Sequence, residues 1–299
     1  MSLEEQHGDE LSKILMTELI PMTLQSLEKK HEANMYHSGI STGFYDIDKH
    51  IGGFHNSDLI IIAGRPAMGK TALALNIATN AAYSNDAKSV AFFTLETSAQ
   101  NLTQRLISSI AHVESNKFRS GHFSQEEWMK VSAAGGELTE TKLVIDDKSA
   151  ININKLKERC YEIKDEQGLD MIFVDYLQLM FANKGDTREQ QISYISRSLK
   201  ALAKELDIPV IAISQLNRGA EQRMDKRPIL FDLRDSGALE DDADLIFFLY
   251  RDELYTKDMC IKPGVAEIML AKNRFGARED FELAFIKEYM QFRDIAKSE

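Results

Sequence analysis

The chain has 299 residues, 43% of them hydrophobic, so it can bury a large core, and we predict an N-terminal extension, residues 1–38, before one domain, residues 39–299. Its formal net charge of −11 has the wrong sign for a protein that coats itself in nucleic acid, so any nucleic-acid site must be local. The two cysteines, Cys160 and Cys260, have no Cys or His at ligand spacing, which argues against a disulfide framework and a zinc site.

The N-terminal extension opens without a signal-peptide pattern, and no apolar run in the chain approaches bilayer length, so we expect a soluble, cytoplasmic protein with no membrane partner. Apolar residues between positions 10 and 31 recur near helical spacing, interrupted by Pro21. A helix this short needs a surface on which to bury its apolar side. Two interpretations stay open: it folds back on its own domain, or it docks on a neighbouring subunit.

After this extension, apolar runs alternate with helical patterns. We predict buried strands and intervening helices, which together indicate an α/β fold with a mostly parallel central sheet covered by helices on both faces. The predicted strands are residues 59–63, 90–95, 143–145, 171–174, 210–213, 245–250 and 266–271. The predicted helices are residues 71–83, 99–112, 153–167 and 190–206.

The turn after the first predicted strand fits the spacing G-x-x-x-x-G-K-[ST] without a mismatch. A strand before it and a small-residue helix after it would bring backbone N–H groups and a helix N-terminus to one point, which is a cradle for phosphate. Lys70 can then reach the terminal phosphates of a nucleotide, and the Thr71 hydroxyl can bind Mg²⁺. The alternative is a structural turn. The motif comprises Gly64, Arg65, Pro66, Ala67, Met68, Gly69, Lys70 and Thr71.

Two acidic residues end later strands. Asp175 follows the buried run 171–174, where an unpaired carboxylate is costly, so a nearby metal ion is a reasonable cause; capping of the next helix is the alternative. Glu96 ends the run 90–95 and is the best candidate for the base that orients water. Its strand would lie beside the phosphate-loop strand only in a sheet ordered as in the recombinase-like ATPases.

Several stretches resemble the C-terminal motor domain of the replicative DNA helicases of the DnaB family, over residues 39–292. They include "GRPAMGKTALALN", "TLETSAQNL", "IFVDYLQLM", "AKNRFG" and the long block 195–255. The resemblance implies a RecA-like, P-loop ATPase core and a homo-oligomeric, hexameric ring. Such a ring threads single-stranded DNA, moves 5′ to 3′, and unwinds duplex at the replication fork with ATP and Mg²⁺ bound between subunits.

The resemblance also assigns roles by motif. It implies that Glu96 activates water, that Asp175 and Thr71 hold the metal, and that Gln215 senses the terminal phosphate, although Gln215 on its own could merely cap a strand end. Arg105, Ala72 and Asn273 join the nucleotide-binding set. Lys272 and Arg274, here called the basic pair, would reach the nucleotide of the adjacent subunit, since alternation puts both on one face of a strand.

For DNA, the family's pore-loop motif corresponds to "DLRDSG", residues 232–237, here called the candidate DNA motif. It implies that Arg234, Asp235 and the Gly237 backbone face a strand phosphate. Asp235 departs from the family's usual glutamate by one methylene, which leaves its role open. Further cations precede the motif, and for these a solvated charged loop is the competing interpretation: Arg218, Arg223, Lys226 and Arg227.

The family's helical N-terminal domain has no counterpart in this sequence. Residues 10–31 then correspond to the linker helix that hooks onto the next subunit, and contacts with primase and a helicase loader are expected only in a full-length context. Two other functions stay open: a recombinase-type ATPase that forms filaments, and a nucleotide-gated ring that binds partners without moving on DNA.

Overall fold

The structure is a computed structural model that describes residues 15–32, 38–148, 151–182 and 184–296, without the side chains of 26, 29–32 and 234–236. The strands in these ranges are β1 (Leu59–Gly64), β2 (Val90–Thr94), β3 (Leu143–Asp146), β4 (Met171–Asp175), β5 (Val210–Gln215), β6 (Leu245–Tyr250), β7 (Val265–Asn273), β8 (Asp280–Ile286) and β9 (Gln291–Asp294). The helices are α1 (Met16–Glu32), α2 (Tyr45–Ile51), α3 (Lys70–Ala82), α4 (Ala99–Ala111), α5 (Ser115–Ser120), α6 (Gln125–Thr139), α7 (Ile153–Gln167), α8 (Arg188–Leu206), α9 (Gly237–Asp242) and α10 (Glu253–Thr256).

The described strands form one sheet in the order β3-β2-β4-β5-β1-β6-β7-β8-β9. The first six strands in this order, β3, β2, β4, β5, β1 and β6, pair in parallel. Strands β7, β8 and β9 are added to β6 by antiparallel pairing. The predicted mostly parallel α/β fold is confirmed, and all seven predicted strands are present. Strands β8 and β9 were not predicted, because β8 alternates buried and exposed residues instead of forming a continuous apolar run.

Apolar side chains of the parallel strands alternate between two cores, one on each face of the sheet. Ile60 and Ile62 of β1 pack in the core that α3 and α4 cover, while Leu59 and Ile61 pack in the core that α7 and α8 cover. Each core strand therefore buries both faces, as a parallel sheet between helices requires.

The strand order corrects one conditional expectation about Glu96. Its strand could have been the neighbour of the phosphate-loop strand, but β4 and β5 separate β2 from β1. The order of strands is set by long-range pairing, which local sequence patterns do not encode. Glu96 still reaches the same edge of the sheet, because the carboxyl ends of these parallel strands all point that way.

Helix α1 continues through Pro21, and every described side chain on it is exposed. Several of these side chains are large and apolar: Leu15, Met16, Leu19, Ile20, Met22, Leu24 and Leu27. The interpretation in which this helix folds back on its own domain is therefore wrong for the described part, residues 15–32. Residues 10–14 of the expected helix lie outside the described residues. In the described ranges, no helix is long and apolar enough to span a bilayer.

Candidate functional site

The phosphate loop joins β1 to α3 in a conformation that needs special backbone angles. Gly69 has φ of 102° and Ala67 has φ of 66°, both in the left-handed region. A Cβ on Gly69 would also lie 3.2 Å from the Phe292 ring. Phe292 belongs to β9 and donates its backbone N–H to Oδ1 of Asn76 on α3, at 2.6 Å. The unpredicted strand β9 thus packs against the phosphate loop through the Phe292 ring and is bonded to α3 through the Phe292 backbone.

The charged groups of Lys70 and Arg65 bind different parts of the protein. The Lys70 ammonium donates to the Arg65 carbonyl at 3.0 Å, across the loop that would hold phosphate. The Arg65 guanidinium donates instead to the Leu216 carbonyl at 2.7 Å and to Glu221 at 2.9 Å. Arg65 therefore fixes the loop to a neighbouring segment, and its contribution to the phosphate cradle is its backbone.

Thr71, in the first turn of α3, meets Asp175 at the end of β4, although β5 lies between β4 and β1. The Thr71 hydroxyl donates to Oδ2 of Asp175 at 2.7 Å. Burial raises the pKa of the Asp175 carboxyl, against the opposing effects of Thr71 and Lys70. A hydroxyl and a buried carboxylate are oxygen ligands suited to Mg²⁺, which commonly takes only one or two protein ligands and completes its shell with phosphate and water. The pair fits a magnesium site.

The charge state of Lys70 reflects its surroundings. The pKa of its ammonium is lowered to about 8, chiefly by burial and also by Arg65, while Asp175 and Glu96 act in the opposite direction. A buried amine at a phosphate loop gains its missing countercharge when a phosphate binds. No group of three or more His, Cys, Asp or Glu side chains that could hold a metal ion converges within the described ranges.

The phosphate loop opens into a cleft of about 690 Å³, here called the phosphate cleft. Three residues predicted from separate motifs lie on its wall: Glu96, Arg105 and Gln215. The backbone of Gln215 is held by Gln178, whose side chain accepts from its N–H and donates to its carbonyl, both at 3.2 Å. The other predicted residues in the lining are Pro66, Ala67, Gly69, Lys70, Thr71, Ala72 and Asp175.

Sequence reasoning missed part of this lining. Arg251 is buried at the end of β6, where it contacts Glu253, donates weakly to the Ala67 carbonyl at 3.5 Å and lies over the Phe285 ring at 4.1 Å. The sequence did contain a signal for Arg251, because this residue directly follows a predicted parallel strand. Such strands end at the same edge of the sheet as the strand that precedes the phosphate loop. The remaining missed residues are Tyr176, Thr97, Phe285, Lys287 and Met290.

The basic pair lies at the opposite edge of the sheet from the phosphate cleft. Lys272 pairs with Ile246 near the amino end of β6, whereas the phosphate loop follows the carboxyl end of β1. Through β6, Lys272 is level with Ile61, roughly 10 Å along β1 from the phosphate loop, and Arg274 is bonded to Asp244 near the start of β1, roughly 17 Å from the loop. Neither cation lines the phosphate cleft of its own chain. Asn273 holds the adjoining turn, donating to the Ala277 carbonyl at 2.8 Å and accepting from the Phe275 N–H at 3.0 Å.

The candidate DNA motif lies mainly in a 3₁₀ helix, Leu230–Ser236, which leads directly into α9. The side chains of Arg234 and Asp235 lie outside the described residues. Gly237 begins α9 with ordinary helical angles, and a Cβ there would meet no atom within 4 Å. Nothing in the described chain therefore requires glycine at this position.

Three of the four cations that precede the candidate DNA motif have partners within the protein. Arg223 makes two contacts with the Asp232 carboxylate, at 2.6 and 2.8 Å. Arg227 makes two contacts of 2.7 Å with Glu267. Lys226 lies 4.8 Å from the centre of a tyrosine ring. Arg218 is exposed. These contacts favour a structural role for Arg223 and Arg227.

Comparison with protein families gives one match over most of the chain. The model described as "DnaB-like helicase C terminal domain" matches residues 39–294. Among similar proteins, the replicative DNA helicase DnaB of Geobacillus stearothermophilus is 44% identical over 282 residues, covering 94% of this chain and 62% of the relative. The replicative DNA helicase DnaC of Bacillus subtilis is 43% identical over the same share of each chain. The chain thus spans less than two thirds of the length of these relatives.

Solved structures agree with this match. A separately solved ATPase domain has a TM-score of 0.87 at 38% identity, covering 93% of this chain and 99% of that one. A DnaB-like replicative helicase whose interactions with primase were described has a TM-score of 0.85 at 37% identity, covering 95% and 68%. The RadB recombinase, with a TM-score of 0.53 at 19% identity, shares the fold alone.

Proposed function

The chain belongs to the DnaB-like helicase family, and from that membership and the geometry of its site we propose that it is the ATP-driven motor of a cytoplasmic replicative DNA helicase. In this proposal identical chains form a hexameric ring that moves 5′ to 3′ along single-stranded DNA and separates duplex ahead of it. Each nucleotide site is shared by two adjacent chains.

The observation that carries the proposal is that the basic pair lies toward the amino ends of β1 and β6, whereas the phosphate cleft lies at their carboxyl ends. In a head-to-tail assembly, the surface of one chain that carries the phosphate cleft meets the surface of the next chain that carries the basic pair. Each interface then joins a cleft to a neighbour's cations. Rings are the closed form of such assemblies. The exposed apolar side chains of α1 supply a surface for docking on the next subunit.

Within the cleft, each residue has a role that its position allows. The Lys70 ammonium and the backbone N–H groups of the loop bind the phosphates. Thr71 and Asp175 would hold Mg²⁺, which when bound would neutralise charge on the transferred phosphoryl group. Glu96 orients the attacking water. Gln215 hydrogen-bonds the terminal phosphate and loses that bond after hydrolysis.

Charge from the neighbouring chain completes the site. Arg274 and Lys272 of the adjacent chain stabilise the charge that develops on the transferred phosphoryl group, a role worth about 10³ to 10⁵ in rate for an arginine finger. Arg105 and Asn273 contribute to nucleotide binding from the two sides of the interface.

Gln215 is placed to pass the state of the nucleotide to DNA. Together with Tyr176 it lines both the phosphate cleft and a second cavity of about 490 Å³. That second cavity reaches Asp232 and Leu233, the first residues of the candidate DNA motif. Arg234, Asp235 and the Gly237 backbone of that motif bind the DNA phosphates, giving a local basic track inside an acidic ring. Primase and a helicase loader are partners of the longer protein.

Unwinding of a forked duplex with a 5′ single-stranded tail tests the proposal. We expect ATP-dependent strand displacement by the wild type and none by Lys70→Ala, which loses nucleotide binding, or by Glu96→Gln, which keeps it. The two variants are matched controls, because Lys70→Ala should fail at nucleotide binding and Glu96→Gln should fail only at hydrolysis. An ATPase rate that DNA leaves unchanged, together with no strand displacement, would instead favour a nucleotide-gated scaffold.

A further inference from the structure

Both cations of the basic pair are held by the carboxyl end of the short helix α9. The Lys272 ammonium donates to the carbonyls of Glu240, at 2.5 Å, and Asp241, at 3.2 Å. The Arg274 guanidinium also donates to the Asp241 carbonyl, at 3.2 Å. The last carbonyls of a helix lack partners within the helix and carry its negative dipole end, so they attract cations. The location of both charges therefore depends on the location of α9.

Asp244, just after α9, fixes Arg274 at two points. Its Oδ1 accepts from the guanidinium at 2.8 Å, and its backbone carbonyl accepts from the Arg274 N–H at 3.0 Å. The carboxylate is itself immobilised, because Oδ2 accepts from the Leu59 N–H at 2.8 Å and from the Lys200 ammonium at 2.5 Å. Only 2% of the Asp244 side chain is exposed, against 48% of that of Arg274. Asp244 thus anchors a cation that is still accessible from outside.

The other end of α9 begins at the candidate DNA motif. Gly237 is both the last residue of the motif and the first residue of the helix. Leu239 is fully buried and the Ala243 N–H donates to the Leu239 carbonyl, so the helix is packed into the core. One turn and a half of helix therefore separates the segment that would hold DNA from the residues that hold the two cations.

We propose that Asp244 is a positioning residue that orients Arg274 toward the nucleotide of the adjacent chain, and that α9 transmits DNA engagement by residues 232–237 to the basic pair. This inference rests on the proposed function. A guanidinium has more N–H donors than these contacts use, so Arg274 can bind a phosphate without leaving Asp244. Binding of DNA at one end of α9 and of phosphate at the other then favour each other.

The test compares Asp244→Asn with Lys200→Met in assemblies of the whole chain. Asp244→Asn removes the charge that orients Arg274, whereas Lys200→Met removes the other cation from the same buried carboxylate and leaves the Arg274 contact in place. We expect kcat for ATP with single-stranded DNA to fall roughly 10- to 100-fold in Asp244→Asn, because displacing a catalytic group by about 1 Å costs on the order of 10² in rate. Stimulation by DNA should fall toward none and KM should change little. Lys200→Met should lose much less kcat than Asp244→Asn, because Asp244 keeps its charge, its contact with Arg274 and the Leu59 N–H.

A second variant guards against misfolding. Asp244→Asn/Lys200→Met removes one buried charge of each sign and should show the same loss of kcat. In mixed assemblies, Glu96→Gln subunits, whose Arg274 is intact, should restore activity to Asp244→Asn subunits. Normal kcat and DNA stimulation in either folded Asp244 variant would overturn the inference, as would a loss that mixing does not restore.

Arg274→Ala, measured in parallel, separates this inference from the proposed function. An inactive Arg274→Ala with an active Asp244→Asn would sink only the positioning role. If Arg274→Ala assemblies hydrolyse ATP at the wild-type rate, the shared nucleotide site itself fails.

Discussion

At the scale of single residues, burial decides the chemistry of the phosphate cleft. It raises the pKa of Asp175 and lowers the pKa of Lys70 to about 8, so each group is held where its charged form is disfavoured until a partner arrives. A nucleotide with Mg²⁺ supplies both partners at once. The cleft therefore gains more from a phosphate–metal complex than from either ion alone.

Nucleotide binding should weaken as pH rises through the pKa of Lys70. The bound phosphate favours the charged ammonium, so the pKa of Lys70 in the complex is higher than about 8, and above that pH binding must take up a proton. We expect the Kd of a non-hydrolysable ATP analogue to rise, by up to about tenfold per pH unit, between the two pKa values.

Isothermal calorimetry in buffers of different ionisation enthalpy measures the proton uptake directly. Lys70→Arg is the matched control, because its guanidinium stays charged throughout this range and should show no uptake. An uptake equal in both proteins, or absent from both, would contradict the role given to Lys70.

At the scale of elements, the sequence predicted what local patterns encode. The phosphate loop, the seven apolar strands and the four predicted helices, α3, α4, α7 and α8, all carry periodic or motif signals. Helix α6 was missed although Ser124 and Glu127 form a capping box at its start. Strand order, the packing of β9 against the phosphate loop and the place of Arg251 come from pairing between distant segments, and no local pattern specifies them.

Two of the arginines that precede the candidate DNA motif, Arg218 and Arg223, should affect stability differently. Arg223 pairs with Asp232, whose side chain is 2% exposed, while Arg218 is exposed. Arg223→Gln leaves a buried carboxylate short of donors, so we expect the free energy of unfolding to fall by about 1–3 kcal/mol. Arg218→Gln should change it by less than about 0.5 kcal/mol.

Urea unfolding of both variants measures the difference, and binding to labelled single-stranded DNA is recorded beside it. If Arg223→Gln is as stable as the wild type but binds DNA less tightly, Arg223 is a DNA contact and the structural role is wrong.

At the scale of the whole molecule, the phosphate cleft and the basic pair lie on opposite sides of the domain, and α1 is not needed for the domain to fold. The domain has its own two cores, and none of the described side chains of α1 contributes to them. Under the proposed function, the net charge of −11 belongs to the whole chain, and contact with DNA is confined to the candidate DNA motif.

Removal of residues 1–32 should therefore leave the domain folded and abolish ring formation. We expect the free energy of unfolding to change by less than about 0.5 kcal/mol, because no core contact of the described helix is lost. Light scattering with an ATP analogue and single-stranded DNA measures the mass. Leu24→Ser should weaken assembly, and Glu28→Ser on the same helix is its control. Full assembly by the shortened chain would show that α1 is not the docking element.

The most direct test of the central claim, a nucleotide site shared by two chains, is the ATPase rate of mixed assemblies. Arg274→Ala subunits keep Glu96, and Glu96→Gln subunits keep Arg274, so each alone should be inactive. In a random equal mixture about a quarter of the interfaces join an intact Glu96 to an intact Arg274, and activity should return at about that level. Verified mixed assemblies with no recovery would contradict the shared site.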